Sequence, residues 1–180
     1  ILLAGALNGY VTLQMKKLSG YSDSIEQLYL PGMQAMSRME LAITQLDTST
    51  VNTAISELKT INEALNNEEF NTLYAAMNIS YTEFNAARAE AAVLDDGSGQ
   101  TPRLTRATAD LSQKIKALSD AYSKATAELV SLNNSASRQT YLVNQVTGII
   151  TLLIAGFMMF LMVRNIVTPT VKATHQLNTL

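Results

Sequence analysis

The 180-residue sequence predicts an all-α protein, an antiparallel up-down-up-down four-helix bundle flanked by two transmembrane helices. Three observations carry that expectation. Apolar residues recur at three- and four-residue steps through the middle of the chain, and no comparable stretch alternates with period two. From Gln139 through Val163 no charged residue occurs. The opening residues, up to Lys16, are uncharged as well. The expected organisation is a first span over 1–15, a four-helix bundle over 16–140, a second span over 141–163 and a short tail over 164–180.

The first span is mostly apolar from Ile1 to Leu13 and reads as the second half of a membrane helix. Ala4-Gly5-Ala6 also fits a signal-peptide cleavage site, which is the alternative. Gly5 and Gly9 form a GxxxG spacing that lets two such helices approach closely. In the second span, Val146 to Val163 is almost wholly apolar, and its 18 residues reach about 27 Å, close to the thickness of a bilayer's hydrocarbon. Tyr141 lies where an interfacial aromatic belongs. Lys16, Lys17 and Arg138 on one side are balanced by Arg164 and Lys172 on the other, so charge does not set the orientation.

Four amphipathic runs lie between the spans. The first carries Leu18, Tyr21, Ile25, Leu28, Gly32, Ala35, Met39, Ala42 and Leu46 on one stripe. Pro31-Gly32 inside it predicts a kink, because proline removes a backbone donor and crowds the preceding turn. Asp47-Thr-Ser-Thr50 offers N-cap side chains to the second run, Val51, Ala54, Leu58, Ile61 and Leu65. Asn66-Asn67 and the acids Glu68-Glu69 suit the start of the third run, which carries Phe70, Leu73, Met77, Tyr81, Phe84, Arg88, Ala91 and Leu94. The loop from Asp95 leads to Pro102, placed for the first turn of the fourth run, Leu104 to Ala136. The period continues through Val143, Val146, Ile150 and Leu153, so the fourth helix and the second span form one rod of about 100 Å.

Composition excludes several chemistries. The 13 basic residues are outnumbered by 15 acidic ones and form no cluster, so nucleic acid is not an expected partner. With no Cys and one His, thiolate metal sites and His-pair motifs are absent. His175 falls across the membrane from the bundle, and the acids at 68–69 and 95–96 read as solvated ends, so no catalysis, metal or cofactor is expected. Met33, Met36 and Met39 read as flexible core.

Beyond the second span, Arg164-x-Ile166-x-x-Pro169 resembles the start of a HAMP domain, the parallel coiled-coil relay of bacterial receptors. Ile166, Thr170, Ala173, Leu177 and Leu180 carry its heptad spacing, with Thr170 where Ile or Leu is usual. The two-span layout, the Leu30-Pro31 step and this ending together resemble the front half of a methyl-accepting chemotaxis protein. That resemblance implies a homodimer in the bacterial inner membrane, with a periplasmic sensor bundle, a cytoplasmic HAMP end and downstream signalling proteins as partners. A histidine kinase or cyclic-dinucleotide enzyme with the same sensor module is the nearest alternative, and a structural membrane anchor without a ligand is the third.

Arginines suggest where a ligand would bind. Arg38 lies about 13 Å and Arg88 about 10 Å from the membrane-distal tip at helical rise, and Arg103 and Arg106 occupy the same level at the start of the fourth helix. Guanidinium forks suit carboxylates and phosphates. The expected ligand is a small anion, such as an amino acid or organic acid, held by Arg38, Arg88, Arg103 and Arg106 with Tyr81, Thr105, Tyr74 and Thr108 as polar neighbours. The alternative pairs these arginines with Glu40, Glu83, Glu90, Asp95 and Asp96 on a solvated surface.

Overall fold

The computed structural model describes residues 2–94 and 101–167, and these are helical with no strand among them. Helix α1 (Leu2–Ser24) passes through a π turn (Ile25–Tyr29) into α2 (Leu30–Thr44). Helices α3 (Thr48–Leu65), α4 (Glu68–Leu94) and α5 (Pro102–Met162) follow, and a second π turn (Val163–Val167) ends the described chain. The loop residues 95–100 and most of the HAMP-like tail, 168–180, lie outside the described residues.

The starts of α3, α4 and α5 each have a side chain that satisfies otherwise unpaired amides. Asp47 Oδ1 accepts from Ser49 and Thr50 at 3.1 and 3.2 Å. Asn67 Oδ1 accepts from Glu69 and Phe70 at 2.9 and 3.2 Å, and Thr101 Oγ1 accepts from Leu104 at 3.1 Å. Pro102 occupies the first position of α5, where its missing N–H removes nothing. Pro31 does not break the helix it lies in. The π turn immediately precedes it, and the Leu30 N–H donates five residues back to Ile25. The widened turn absorbs the proline and brings both Leu28 and Tyr29 against the core.

The chain divides into two compact units, Ser19–Asn133 and Ile1–Leu18 with Asn134–Leu180. In the first unit α2, α3, α4 and the first half of α5 share one core. Met36, Met39 and Ile43 meet Val51, Leu58, Met77, Phe84, Leu111, Ile115, Leu118 and Tyr122, all less than 2% exposed. Partner numbers rise on one helix as they fall on the next. Asn52 bonds Tyr81 and Asn62 bonds Phe70 between α3 and α4; Ser80 bonds Asp110 and Glu90 bonds Arg103 between α4 and α5. These neighbours therefore run antiparallel.

At one end of this core, beside the Asn66–Asn67 corner, three rings cluster. Tyr29, Phe70 and Tyr122 have centroids 4.7 to 6.0 Å apart. The Tyr122 hydroxyl donates to Asn62 Oδ1 at 3.0 Å, and Asn62 Nδ2 donates to the Phe70 carbonyl at 3.1 Å. Both polar side chains are thereby buried at little penalty. Gly32 faces the same tyrosine, and a Cβ there would lie 2.3 Å from Tyr122 Cε1.

In the second unit burial falls on one stripe of each helix. On α1 it takes Val11, Gln14 and Leu18, and on α5 it takes Ala136, Thr140, Val143, Thr147 and Ile150. Thr140, Thr147 and Thr151 donate to carbonyls four residues back, at 2.7 to 2.9 Å, which satisfies hydroxyls in an apolar setting. Further along α5, Leu152, Phe157 and Met159 are 62 to 75% exposed. A helix apolar on every side is the form a bilayer requires. Among the described residues, one helix is long and apolar enough to cross a membrane. The apolar run of α1 ends at Lys16.

The Gly32 contact yields a test. Gly32→Ala should destabilise the chain by about 1–3 kcal/mol through overpacking against a side chain that is fully buried and hydrogen-bonded. Combined with Tyr122→Leu, the two losses should be clearly less than additive in thermal or denaturant unfolding. Additive losses would mean that the two residues do not meet.

Candidate functional site

The end of the four-helix unit opposite Tyr122 is built from the α2–α3 corner, the last turns of α4 and the first turns of α5. The corner is a Schellman motif: the Asp47 amide donates to the Ala42 carbonyl at 2.9 Å and the Leu46 amide to the Ile43 carbonyl at 3.2 Å. Leu46 takes the left-handed conformation (φ 57°) that this motif demands. That position normally belongs to glycine, and a leucine there costs roughly 1–2 kcal/mol. Asp47 ends one helix and caps the next. The Thr50 hydroxyl and the Thr50 and Ser49 amides all donate to its carboxylate and hold its pKa below the ordinary value.

Three concavities open here. One of about 280 Å³ lies between α2 and α5 and is lined by Ile43, Thr44, Leu46, Leu104, Thr105, Thr108 and Ala109. A second, about 200 Å³, is lined by Leu46, Arg88, Ala91, Ala92 and Leu104. The third is an open groove of about 540 Å³ along Glu83, Pro102, Arg103, Arg106, Ala107 and Asp110.

The sequence-predicted residues occupy different seams between helices. Arg38 on α2 donates through both terminal nitrogens to Glu57 on α3, and half of its side chain is exposed. Arg103 spans from α5 to two carboxylates of α4, Glu83 and Glu90, whose hydrogen bonds push its pKa up. Glu83 and Glu90 are the partners that the solvated-surface alternative names, whereas Arg38 takes Glu57 in place of Glu40. Arg106 stands exposed on the wall of the large groove beside Glu83 and Asp110. Arg88 is half-buried, and its Nη1 donates to Thr48 Oγ1 at 3.2 Å.

Tyr81 is buried in the α3–α4 seam, with its hydroxyl donating to Asn52 Oδ1 at 2.7 Å. Thr105 and Thr108 line the cavity between α2 and α5. Tyr74 bonds the Ile55 carbonyl at 3.4 Å, towards the Asn66 end and away from the arginines. Burial, and then the charge of Glu63, pushes its phenol up. The structure thus brings Arg103 together with Arg106, and Arg88 with Leu46. It does not gather Arg38, Arg88, Arg103, Arg106, Tyr81 and Thr105 around one space.

Sequence reasoning missed Leu46 and Leu104 as cavity walls. One signal was present: Leu46 sits just before the capping Asp47, where a helix corner requires a left-handed residue. Comparison with known protein families, with curated proteins and with solved structures finds no match to this chain.

The Asp47 cap predicts an acid-limb effect. Its folded pKa is lowered, so its stabilising contribution is complete above the unfolded value of about 3.9 and is lost as pH falls through the folded one. Asp47→Asn keeps a cap oxygen without the titration. Thermal midpoints followed from about pH 6 to pH 2 should fall less steeply in Asp47→Asn than in the parent chain. Parallel curves would remove Asp47 from the acid response.

Proposed function

We propose that this chain is the sensing half of a bacterial transmembrane chemotaxis receptor. An up-down-up-down bundle on the periplasmic side binds a small anionic molecule at its Leu46 end. Two spans hold it in the inner membrane as a homodimer, and the tail after Val163 begins a HAMP relay.

The observation that carries this reading is helix α5. One helix, Pro102–Met162, contains both the cavity-lining residues Leu104, Thr105 and Thr108 and the apolar stretch suited to a bilayer. A ligand that favours one packing of the first turns of α5 biases a single continuous element. Such a bias needs different affinity for two arrangements of that helix, and a packed interface supplies discrete arrangements more readily than a continuum. The resemblance of Arg164-x-Ile166-x-x-Pro169 to a HAMP entry supports the same reading.

The test is a hybrid that joins residues 1–180 to the kinase-controlling half of a chemoreceptor. Kinase output should respond to at least one member of a panel of amino acids and organic acids. Two glycines inserted after Ala136 should abolish that response while leaving ligand affinity within about twofold, since breaking the helix uncouples output from binding. A response that survives the insertion would end the role given to α5. A hybrid silent to the whole panel, whose bundle also shows no thermal shift with it, would favour the structural membrane anchor.

A further inference from the structure

We propose that the two smaller cavities at the Leu46 end form one binding site for a monocarboxylate with an apolar body, its carboxylate held by Arg88. This rests on the sensor reading above and narrows its ligand.

The cavities of about 280 and 200 Å³ share two wall residues, Leu46 and Leu104. Their linings differ in chemistry. Among the described residues, no charged one lines the larger cavity. Its three hydroxyls are already committed as donors to their own helices: Thr44 to the Leu41 carbonyl at 2.7 Å, Thr105 to Thr101 at 3.2 Å and Thr108 to Leu104 at 2.8 Å. They offer an incoming anion no proton. This space suits an apolar body, and a second charge placed there would lose its hydration without compensation. A dicarboxylate or a zwitterion is therefore disfavoured.

The smaller cavity supplies the charge. Arg88 is the one charged residue among the described residues of either lining, set among Leu46, Ala91, Ala92 and Leu104. The residue is half-buried, a setting in which a charge-assisted, bidentate hydrogen bond to a carboxylate gains strength. The other arginines are worse candidates. Arg38 and Arg103 are engaged by glutamates, and the groove beside Arg106 carries Glu83 and Asp110, which repel an anion.

Leu46 is the hinge of the argument. The corner needs a left-handed residue, and glycine or asparagine would meet that need without strain. The opposite corner does so with Asn66, at φ 48°. A leucine at the first corner adds a side chain that lines both cavities. Strain in the backbone at such a place is a pointer to function.

The experiment is calorimetric titration of the full chain in zwitterionic-lipid nanodiscs, with empty nanodiscs as the blank. Benzoate is the probe, with benzamide and succinate as controls. Benzoate should bind at least about tenfold more tightly than either control, as expected when a buried charge-assisted pair is present in one ligand only. Arg88→Gln should weaken benzoate by about tenfold or more, and Arg106→Gln should leave it within about twofold. Ala92→Phe places bulk from an exposed position into the smaller cavity and should also abolish binding, which guards against a folding defect in Arg88→Gln.

Equal affinity for benzamide, or an Arg106→Gln loss as large as that of Arg88→Gln, overturns the site. Binding of succinate or an amino acid that depends on Arg103 and Arg106 overturns it too, yet leaves the sensor reading standing. Absence of binding to benzoate and to the wider panel of amino and organic acids removes both.

Discussion

Tyr122 occupies a place that only a glycine leaves open. Its ring lies against Gly32 so closely that a methyl group on α2 would overlap it, and its phenol, fully buried, must find a partner. That partner is Asn62 of α3, whose own amide reaches the Phe70 carbonyl in the first turn of α4. One side chain of α5 therefore sets the separation of α2, the level of α3 and the start of α4. Tyr29 closes the ring cluster from the π turn. Burial, and then the nearby Tyr29, pushes the Tyr122 phenol above its ordinary pKa, in keeping with its role as donor to Asn62.

The two ends of the four-helix unit are built on opposite terms. At the Asn66 corner, a residue that tolerates the left-handed conformation is followed by Asn67 as N-cap, and rings fill the space behind it. At the Leu46 corner the same conformation falls on a leucine, and the space behind it stays open in two cavities. Close packing is the default for protein interiors, so the space left between helices at this end marks where the structure gives up packing density. Exposed ion pairs from Arg38 and Arg103 brace the outside of this end, where each contributes little to stability.

Much of this was legible beforehand, for a simple reason: burial in a helix follows a period that the sequence displays. Phe70, Met77, Tyr81, Phe84 and Ala91 fall on the predicted stripe and are buried, as do Leu104, Leu111, Ile115, Leu118 and Tyr122. The caps at Asp47 and Asn67 were equally visible, because capping depends on residue type at one position. The grouping of the arginines was less legible. Helical rise gives only the height of each Cα along its own helix; the Arg88 side chain reaches Thr48 at the start of α3, whereas Arg38 reaches Glu57, nine residues further on. Which seam each side chain enters depends on how the helices turn towards one another, and a single helix does not encode that. The π turn was hidden for a related reason, since Pro31 advertises a disturbance without specifying a break, a bend or a wider turn.

The disturbance at Pro31 and the largest ring of the core fall at the same level, and each explains the other. On α5, Leu111, Ile115, Leu118, Tyr122, Ala125 and Leu129 are buried or partly buried in alternating steps of four and three, so Tyr122 lies on an unbroken stripe. The adjustment falls on the partner helix at Ile25–Tyr29, where the π turn takes up an extra residue, and Tyr29 from that turn touches Tyr122 itself. An extra residue moves the buried face around a helix by part of a turn. Placed here, it brings both Leu28 and Tyr29 against the core, and the large ring seated on Gly32 holds the two helices at that point.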